Sequence, residues 1–441
     1  MIMPFTGRAA RPGLFWLGES FAVGLRQSLR GSAISVLGRR EMHRAFNREG
    51  IPDVPTLSHA TLMSVAANVD ARWLVVGRYR YQSRKLSVQA DLIDLQRARL
   101  HRFQVAPQAL DRLQWTQARL GWKILNYIRH RGAGRPRPFA AFWRSQPPLA
   151  LPAFESYVRG LLSSSARLRL QYFRSAARLQ PGYDAAIYRL GLWHFHRDQF
   201  QGALRWLPRV RPRDPHYWRA QFASGFAALA LGQNLRAAEF FREIAAVLPL
   251  PEVLNDWALA ASRLGQPSAE ALFSRARGAA GGYAGTRQKI WANLAGYACR
   301  RNQPAQALIW LRKLAEASSS PADHSRLVHW QDLIRQLSQS PAPSGAVLQS
   351  LAPRIEQPSR QFPLRRFQQM ETVMSEFAIA NGRALPAAVQ AARLLAQARQ
   401  LRRAGALAGA RREYQYVLHL PGISPAEAAQ AAAGLQKMHH P

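Results

Sequence analysis

Three prolines, Pro181, Pro215 and Pro249, stand at a constant step of 34 residues, and other positions keep the same step between them. Gly191 recurs as Gly225, Ala203 as Ala237, and Leu207 as Phe241. A period of this size, with small residues at two fixed places and a proline at its end, calls for a helix-turn-helix unit copied in tandem. One such unit cannot bury its apolar face alone and must stack on a neighbour. In the second copy the spacing predicts a first helix from Arg219 to Leu231 and a second from Asn234 to Leu248, with Gly232 and Gln233 between them. Gly225 falls in mid-helix, where glycine costs about 1 kcal/mol against alanine. Close approach of the neighbouring helix accounts for it, with Ala237 facing it and Phe222, Phe226, Phe240 and Phe241 closing the gap. Pro249 ends the unit because it lacks an amide proton and clashes with the preceding turn.

The pattern resembles the tetratricopeptide repeat family, which places a large residue, Leu-Gly, an aromatic, then Ala, Phe, Ala and Pro at fixed offsets. The first copy fills those places with Ile187, Leu190, Gly191, His194, Ala203, Leu207, Val210 and Pro215. The second has Gln221, Ser224, Gly225, Ala228, Ala237, Phe241, Ile244 and Pro249. Leu254 to Gly265 with Ala269, Phe273 and Ala276 continues the series after a one-residue deletion, and Trp291, Leu294, Ala295, Ala298, Ala307, Leu311 and Leu314 make a further copy. Phe154 to Gly160 with Phe173, Ala176 and Pro181 is a shortened copy upstream. Leu394, Ala398, Leu401, Ala410, Tyr414 and Val417, followed by Pro421, give one near the C-terminus. About six units suffice to bury a continuous solenoid core. The resemblance implies a ligand-facing groove on the first helices, at Tyr188, Leu192 and His196, at Arg219, Phe222 and Phe226, at Asn255 and Arg263, and at Lys289 and Arg300. Aromatics and cations together suit an acidic or extended peptide. It implies packing roles for Gly191, Ala203, Gly225, Ala237, Phe241, Ala307 and Ala410.

Residues 1–130 do not repeat and read as α+β. The expected elements are a strand at Ile2 to Phe5, a helix carrying Leu17, Phe21, Leu25 and Leu29 on one stripe, and a strand at Ile34 to Leu37. Helices follow at Arg40 to Arg48 and Ser58 to Asn68, with Ser58 as cap. Strands at Trp73 to Tyr81 and Lys85 to Asp94 flank a turn at Ser83-Arg84, and Leu86, Val88, Ala90 and Leu92 alternate with Ser87, Gln89 and Asp91. One face of that hairpin is core and the other polar. A strand at Leu100 to Val105 and a helix from Leu110 to Ile128 complete the unit. Met3-Pro4-Phe5, Phe15-Trp16-Leu17-Gly18-Glu19 and Val75-Val76-Gly77 make this region similar to the α+β module at the amino terminus of the bacterial Tol translocation propeller protein and in curli-secretion lipoproteins. That resemblance implies an assembly and binding module with no catalytic set and an envelope location.

Pro/Arg-rich residues 131–152 read as a linker whose Phe139, Phe142 and Trp143 anchor it to a neighbouring surface. Repeats then occupy 153–337, and Ser/Pro/Gln-rich residues 338–363 read as a second linker. Residues 364–441 read as C-terminal helices with the last repeat, Phe367 to Asn381 being a helix that bridges to it. The fold class expected is an α+β domain followed by an all-α helical solenoid, mainly α.

The formal charge is +36, and of the 61 Lys and Arg residues only Lys85, Lys123, Lys289, Lys313 and Lys437 are lysines. Arginine spread through every segment reads as compositional bias as much as a phosphate-binding stripe, which leaves nucleic-acid binding as the alternative function. No apolar run of membrane-spanning length occurs. Met1 leads directly into Ile2-Met3-Pro4-Phe5 without a signal sequence, so the expected location is cytoplasmic, or periplasm and envelope if the true start lies upstream. Cys299, the only cysteine, permits no intrachain disulfide. With Arg300 and Arg301 beside it, it reads as a small packed residue more than a reactive thiol.

No catalytic signature is present. There is no Gly-rich loop ending in Lys-Ser or Lys-Thr, and Gly278 to Gly285 reads as the loop between repeats. Ser20 lacks the second glycine of a nucleophile elbow. His194 and His196, two residues apart on a helix, point to different faces, so no metal site is expected, and no cofactor. These features together point to a non-enzymatic protein–protein interaction scaffold that binds a partner protein or peptide in the solenoid groove.

Overall fold

The computed structural model describes residues 1–9, 12–29, 36–51, 57–130, 138–212, 214, 216–281, 283–318, 324–339, 343–363, 395, 414–415, 417–418 and 425–436. The chain is mainly α-helical, with one four-stranded mixed sheet near its N-terminus. It divides into two compact units. The first holds Met1–Trp193 and Arg209–His216, the second His194–Pro208 and the described residues from Tyr217 onward.

In the first unit the strands β1 (Thr6–Ala9), β2 (Trp73–Gln82), β3 (Lys85–Asp94) and β4 (Arg99–Ala109) lie in the order of the chain, β1 parallel to β2 and the rest antiparallel. The expected strand at Ile2 to Phe5 starts later in the chain. Ile2 makes only an isolated bridge to Val75, and regular pairing begins at Thr6. Pro4 explains the interruption, since it has no amide to donate to a ladder. Val36 and Leu37 have no regular structure, and the other half of that expected strand lies outside the described residues. The β2–β3 turn places Ser83 and Arg84 at φ 49° and 59°, the left-handed pair that matches the twist of a two-residue hairpin.

The helices α1 (Leu17–Leu29), α2 (Arg39–Arg48), α3 (His59–Ala67) and α4 (Leu113–His130) cover the sheet. Leu17, Phe21, Leu25 and Leu29 are all buried on α1. Phe21 stacks on Phe5 with ring centroids 5.0 Å apart, and Tyr79 of β2 lies next to it. Gln117 of α4 donates to the Ser20 carbonyl at 2.9 Å, pinning α4 to α1. Met42 and Phe46 of α2 and Leu62 and Val65 of α3 form one core cluster with Leu74, Val76 and Ile93. Ser58 caps α3 by accepting from the Thr61 amide at 3.1 Å. Farther along the sheet face that carries Leu74, Val76 and Ile93, Arg78, Arg80 and Lys85 are exposed.

The stretch expected as a first linker contains α5 (Phe139–Arg144), whose Phe139 ring meets Trp115 and Trp122 of α4, while Phe142 is buried. The helices α6 (Leu151–Leu162) and α7 (Ala166–Leu179) pair as a hairpin, and α8 (Asp184–Phe195) begins in this unit.

The second unit continues with α9 (Phe200–Trp206), α10 (Tyr217–Ala230), α11 (Asn234–Val247), α12 (Pro251–Arg263), α13 (Ser268–Ala279), α14 (Ala284–Arg300), α15 (Pro304–Ala317), α16 (His324–Leu337) and α17 (Gly345–Ile355). Each helix from α9 to α16 packs on the next, which makes a series of stacked hairpins. α10 and α11 match the predicted pair to within two residues, and Ala203, Ala237, Phe241 and Ala307 are fully buried. A side-chain carbon added at Gly225 would stand 2.7 Å from the Phe241 ring. The glycine therefore makes room for that ring rather than for Ala237 alone. The Ser/Pro/Gln-rich stretch expected as a second linker contains α17. α17 packs on α14, with Leu348, Leu351 and Ile355 buried in the cluster that holds Trp310 and Trp330. Three apolar residues on one helical face outweigh the composition of that stretch. Phe367 to Asn381, Leu394, Ala398, Leu401 and Ala410 lie outside the described residues, whereas Tyr414 and Val417 are described and buried.

No helix among the described residues is long and apolar enough to cross a membrane.

Candidate functional site

Helices α12 and α14 carry a matching pair of polar residues seven positions apart: Asp256 and Arg263 on the first, Asn293 and Arg300 on the second. Seven residues are two helical turns, so each pair stands on one face. These faces hold the segment that follows α17, Glu356 to Phe362, which has no helix or strand of its own.

Glu356 accepts from Arg263 Nε and from Arg300 Nε, each at 2.9 Å, and its side chain is fully buried between them. Gly296 on α14 permits this approach. A side-chain carbon there would fall 2.8 Å from Glu356 Cγ and 3.3 Å from the Ala352 carbonyl. One residue on, Asn293 grips the Gln357 main chain from both sides, its Oδ1 accepting from the amide at 2.7 Å and its Nδ2 donating to the carbonyl at 3.3 Å. Asp256 then accepts from the Ser359 amide at 3.1 and 3.0 Å. Farther along, Arg360 lies over the Phe195 ring, donates to the Phe195 carbonyl at 3.2 Å and pairs with Asp198 at 2.7 Å. Phe362 meets Phe222 of α10 edge-on, with centroids 5.5 Å apart. An acid and a stretch of bare backbone are thus held by α12 and α14, an arginine by Phe195 at the end of α8 and Asp198 just beyond it, and an aromatic by α10.

Burial pushes the Asp256 carboxyl up to about 7, against the opposing pull of the Ser359 amide, the Lys289 charge and Asn255, with the Glu252 carboxylate adding to the rise. Cys299 is buried beside this site, and desolvation raises its thiol to about 11, with the Glu356 charge adding to the rise. Arg300 pulls the other way and loses, so the neighbouring arginines do not activate the thiol. Among the described residues no three His, Cys, Asp or Glu side chains converge as metal ligands. His194 pairs with Gln199 at 2.8 Å, and His196 is exposed.

The residues singled out in the sequence divide into groups. Phe222, Arg263 and Arg300 touch the segment directly. Asn255 donates to the Asp256 carboxylate that holds it, and Lys289 acts on that carboxylate through its charge. Phe226 packs on Phe195, the ring beneath Arg360. Arg219 is half-buried on α10. Tyr188 and Leu192 belong to the first unit, where Tyr188 stacks on His216. Sequence reasoning missed Asp198, Asp256, Asn293 and the entire segment. The repeated arrangement of a polar residue followed seven positions later by arginine could have revealed Asp256 and Asn293. A proline-rich composition concealed the segment.

No protein-family model matches the chain, and no curated protein matches it either.

Proposed function

We propose that this chain is a non-enzymatic scaffold of tetratricopeptide-like repeats whose first helices capture an extended peptide of a partner protein. The observation that carries the reading is the hold of Asn293 on both main-chain groups of Gln357. A side-chain amide that reads the backbone of an irregular segment recognises an extended peptide whatever its side chains, and flanking charges add selectivity. Stacked helices preform this surface, which lowers the ordering cost of binding. The test is affinity capture of partners from the source cell with the full chain and with Asn293→Ala and Arg263→Glu forms, each with and without nuclease. A stoichiometric, nuclease-resistant partner lost in both variants supports the reading. A partner retained by both variants sinks it.

A second reading, binding of a polyanion, has one observation behind it. Arg78, Arg80, Lys85 and Arg102 are exposed on one face of the sheet, and of these Arg102 pairs with the carboxylate Asp91. Recovery of only nuclease-sensitive material in the same capture, with binding that falls steeply with salt, would favour it.

A further inference from the structure

We propose that Glu356–Phe362 is an internal occupant of the groove, displaced by a partner peptide with the same order of groups: an acid, a free backbone amide three residues on, an arginine next and an aromatic two positions later. This inference rests on the groove reading above and adds to it the chemistry of the partner and the state of the groove before the partner arrives.

Several observations point to exchange rather than a permanent strut. The Glu356 amide still donates to Ala352 of α17, but beyond it the main-chain bonds at Gln357 and Ser359 run to the side chains of Asn293 and Asp256. That is the form of a bound peptide rather than of a fold element. Its anchoring is uneven. Glu356 is sealed, whereas the Arg360–Asp198 pair at the other end is 44% and 60% exposed, so release starts there. The fit is also incomplete, because Ser359 Oγ and Asn255 Oδ1 are buried without a hydrogen-bond partner among the described residues. Ser359 Oγ leaves with the segment, whereas Asn255 Oδ1 belongs to the groove and is polar capacity that another occupant can employ.

Tethering gives the segment a high effective concentration, so it reduces the apparent affinity of any peptide in trans by the fraction of groove that is closed. Weakening the segment at its exposed end, without touching the groove, must therefore raise affinity for an external peptide.

The probe is a fluorescein-labelled synthetic peptide, Ile-Glu-Gln-Pro-Ser-Arg-Gln-Phe-Pro, identical to residues 355–363, titrated by polarisation against the full chain. Three forms are compared: unaltered, Arg360→Ala with Phe362→Ala, and that double variant with Arg263→Glu added. The helical circular dichroism of each confirms folding. The expected result is binding roughly tenfold or more tighter to the double variant than to the unaltered chain, lost again with Arg263→Glu. Equal affinity for the first two forms, indifference to Arg263→Glu, or no binding by folded protein overturns the proposal. Concentration-dependent dimerisation of the unaltered chain that the double variant abolishes also overturns it, in favour of exchange with a second copy. If the peptide result fails while partner capture still depends on Asn293 and Arg263, only this inference falls. If both fail, the groove reading falls with it.

Discussion

Replacing Gly225 by alanine sets two effects of known sign against each other. Alanine favours a helix over glycine by about 1 kcal/mol, so in an open place the change stabilises. At position 225 the new methyl would stand 2.7, 2.8 and 3.0 Å from three atoms of the Phe241 ring. Carbon atoms rest at about 3.5–4.0 Å, so the ring has to retreat by roughly 0.5–1 Å. It has nowhere to go. Phe241 is fully buried, and Phe222 lies against it with centroids 5.7 Å apart. Overpacking of this kind costs about 1–3 kcal/mol, which leaves Gly225→Ala net destabilising by roughly 0–2 kcal/mol after the propensity gain. Gly278→Ala is the control. It lies on α13 with nothing within 4 Å of the added carbon, so it gains up to about 1 kcal/mol. Urea unfolding midpoints give the order of the three proteins, and native-state hydrogen exchange in α10 and α11 gives the local effect. Shrinking the ring with Phe241→Leu should make Gly225→Ala less costly than it is alone. A Gly225→Ala protein as stable as the Gly278→Ala one would refute the packing argument.

Asp256→Asn tests the buried carboxylate. The folded group holds its proton up to about 7, while the unfolded one releases it near 3.8. Between those values the folded state binds more protons, so the Asp256 contribution makes stability fall as pH rises through that window and level off above it. The asparagine form lacks this slope, and comparing unfolding free energies at pH 4 and pH 8 measures the difference. Asn293→Ala removes both bonds to Gln357 and should lower exchange protection of the Gln357 amide at least tenfold. Ser58→Ala removes the cap of α3 and should cost about 0.5–2 kcal/mol in thermal or chemical unfolding. Phe241→Ala, which empties a fully buried site, should cost about 3–5 kcal/mol.

The legible part of the fold is the part that depends on short-range pattern. Leu17, Phe21, Leu25 and Leu29 specify a helix with one dry face, and the alternation from Leu86 to Leu92 specifies a strand, because burial of a regular element repeats with its own period. The spacing of Gly225 and Phe241 announced a close helix pair, although the ring rather than Ala237 turned out to be the partner. What could not be read is long-range. Nothing local tells that Glu356 will find Arg263 and Arg300, since sequence separations of 93 and 56 carry no register. Of the positions inferred from the repeat resemblance, Phe222, Arg263 and Arg300 meet the segment Glu356–Phe362. They did not disclose that the chain itself lies there. Composition misled at Gly345–Ile355, where serine, proline and glutamine around the helix masked the apolar stripe Leu348, Leu351 and Ile355.

A row of stacked hairpins is ordinarily a string of neighbours, each stabilised by the one before, and it can fray from an end without disturbing the middle. Here the segment after α17 doubles back. It ties Glu356 to α12 and α14, Ser359 to α12 across 103 residues, and Arg360 to Phe195 across 165. The string becomes a closed circuit. Peeling α14 away breaks contacts with α12 as well as with α13 and α15, so the repeats it spans share a single fate. Cutting the circuit at Glu356 should turn one sharp unfolding transition into a series of shallow ones, even where the total stability changes little.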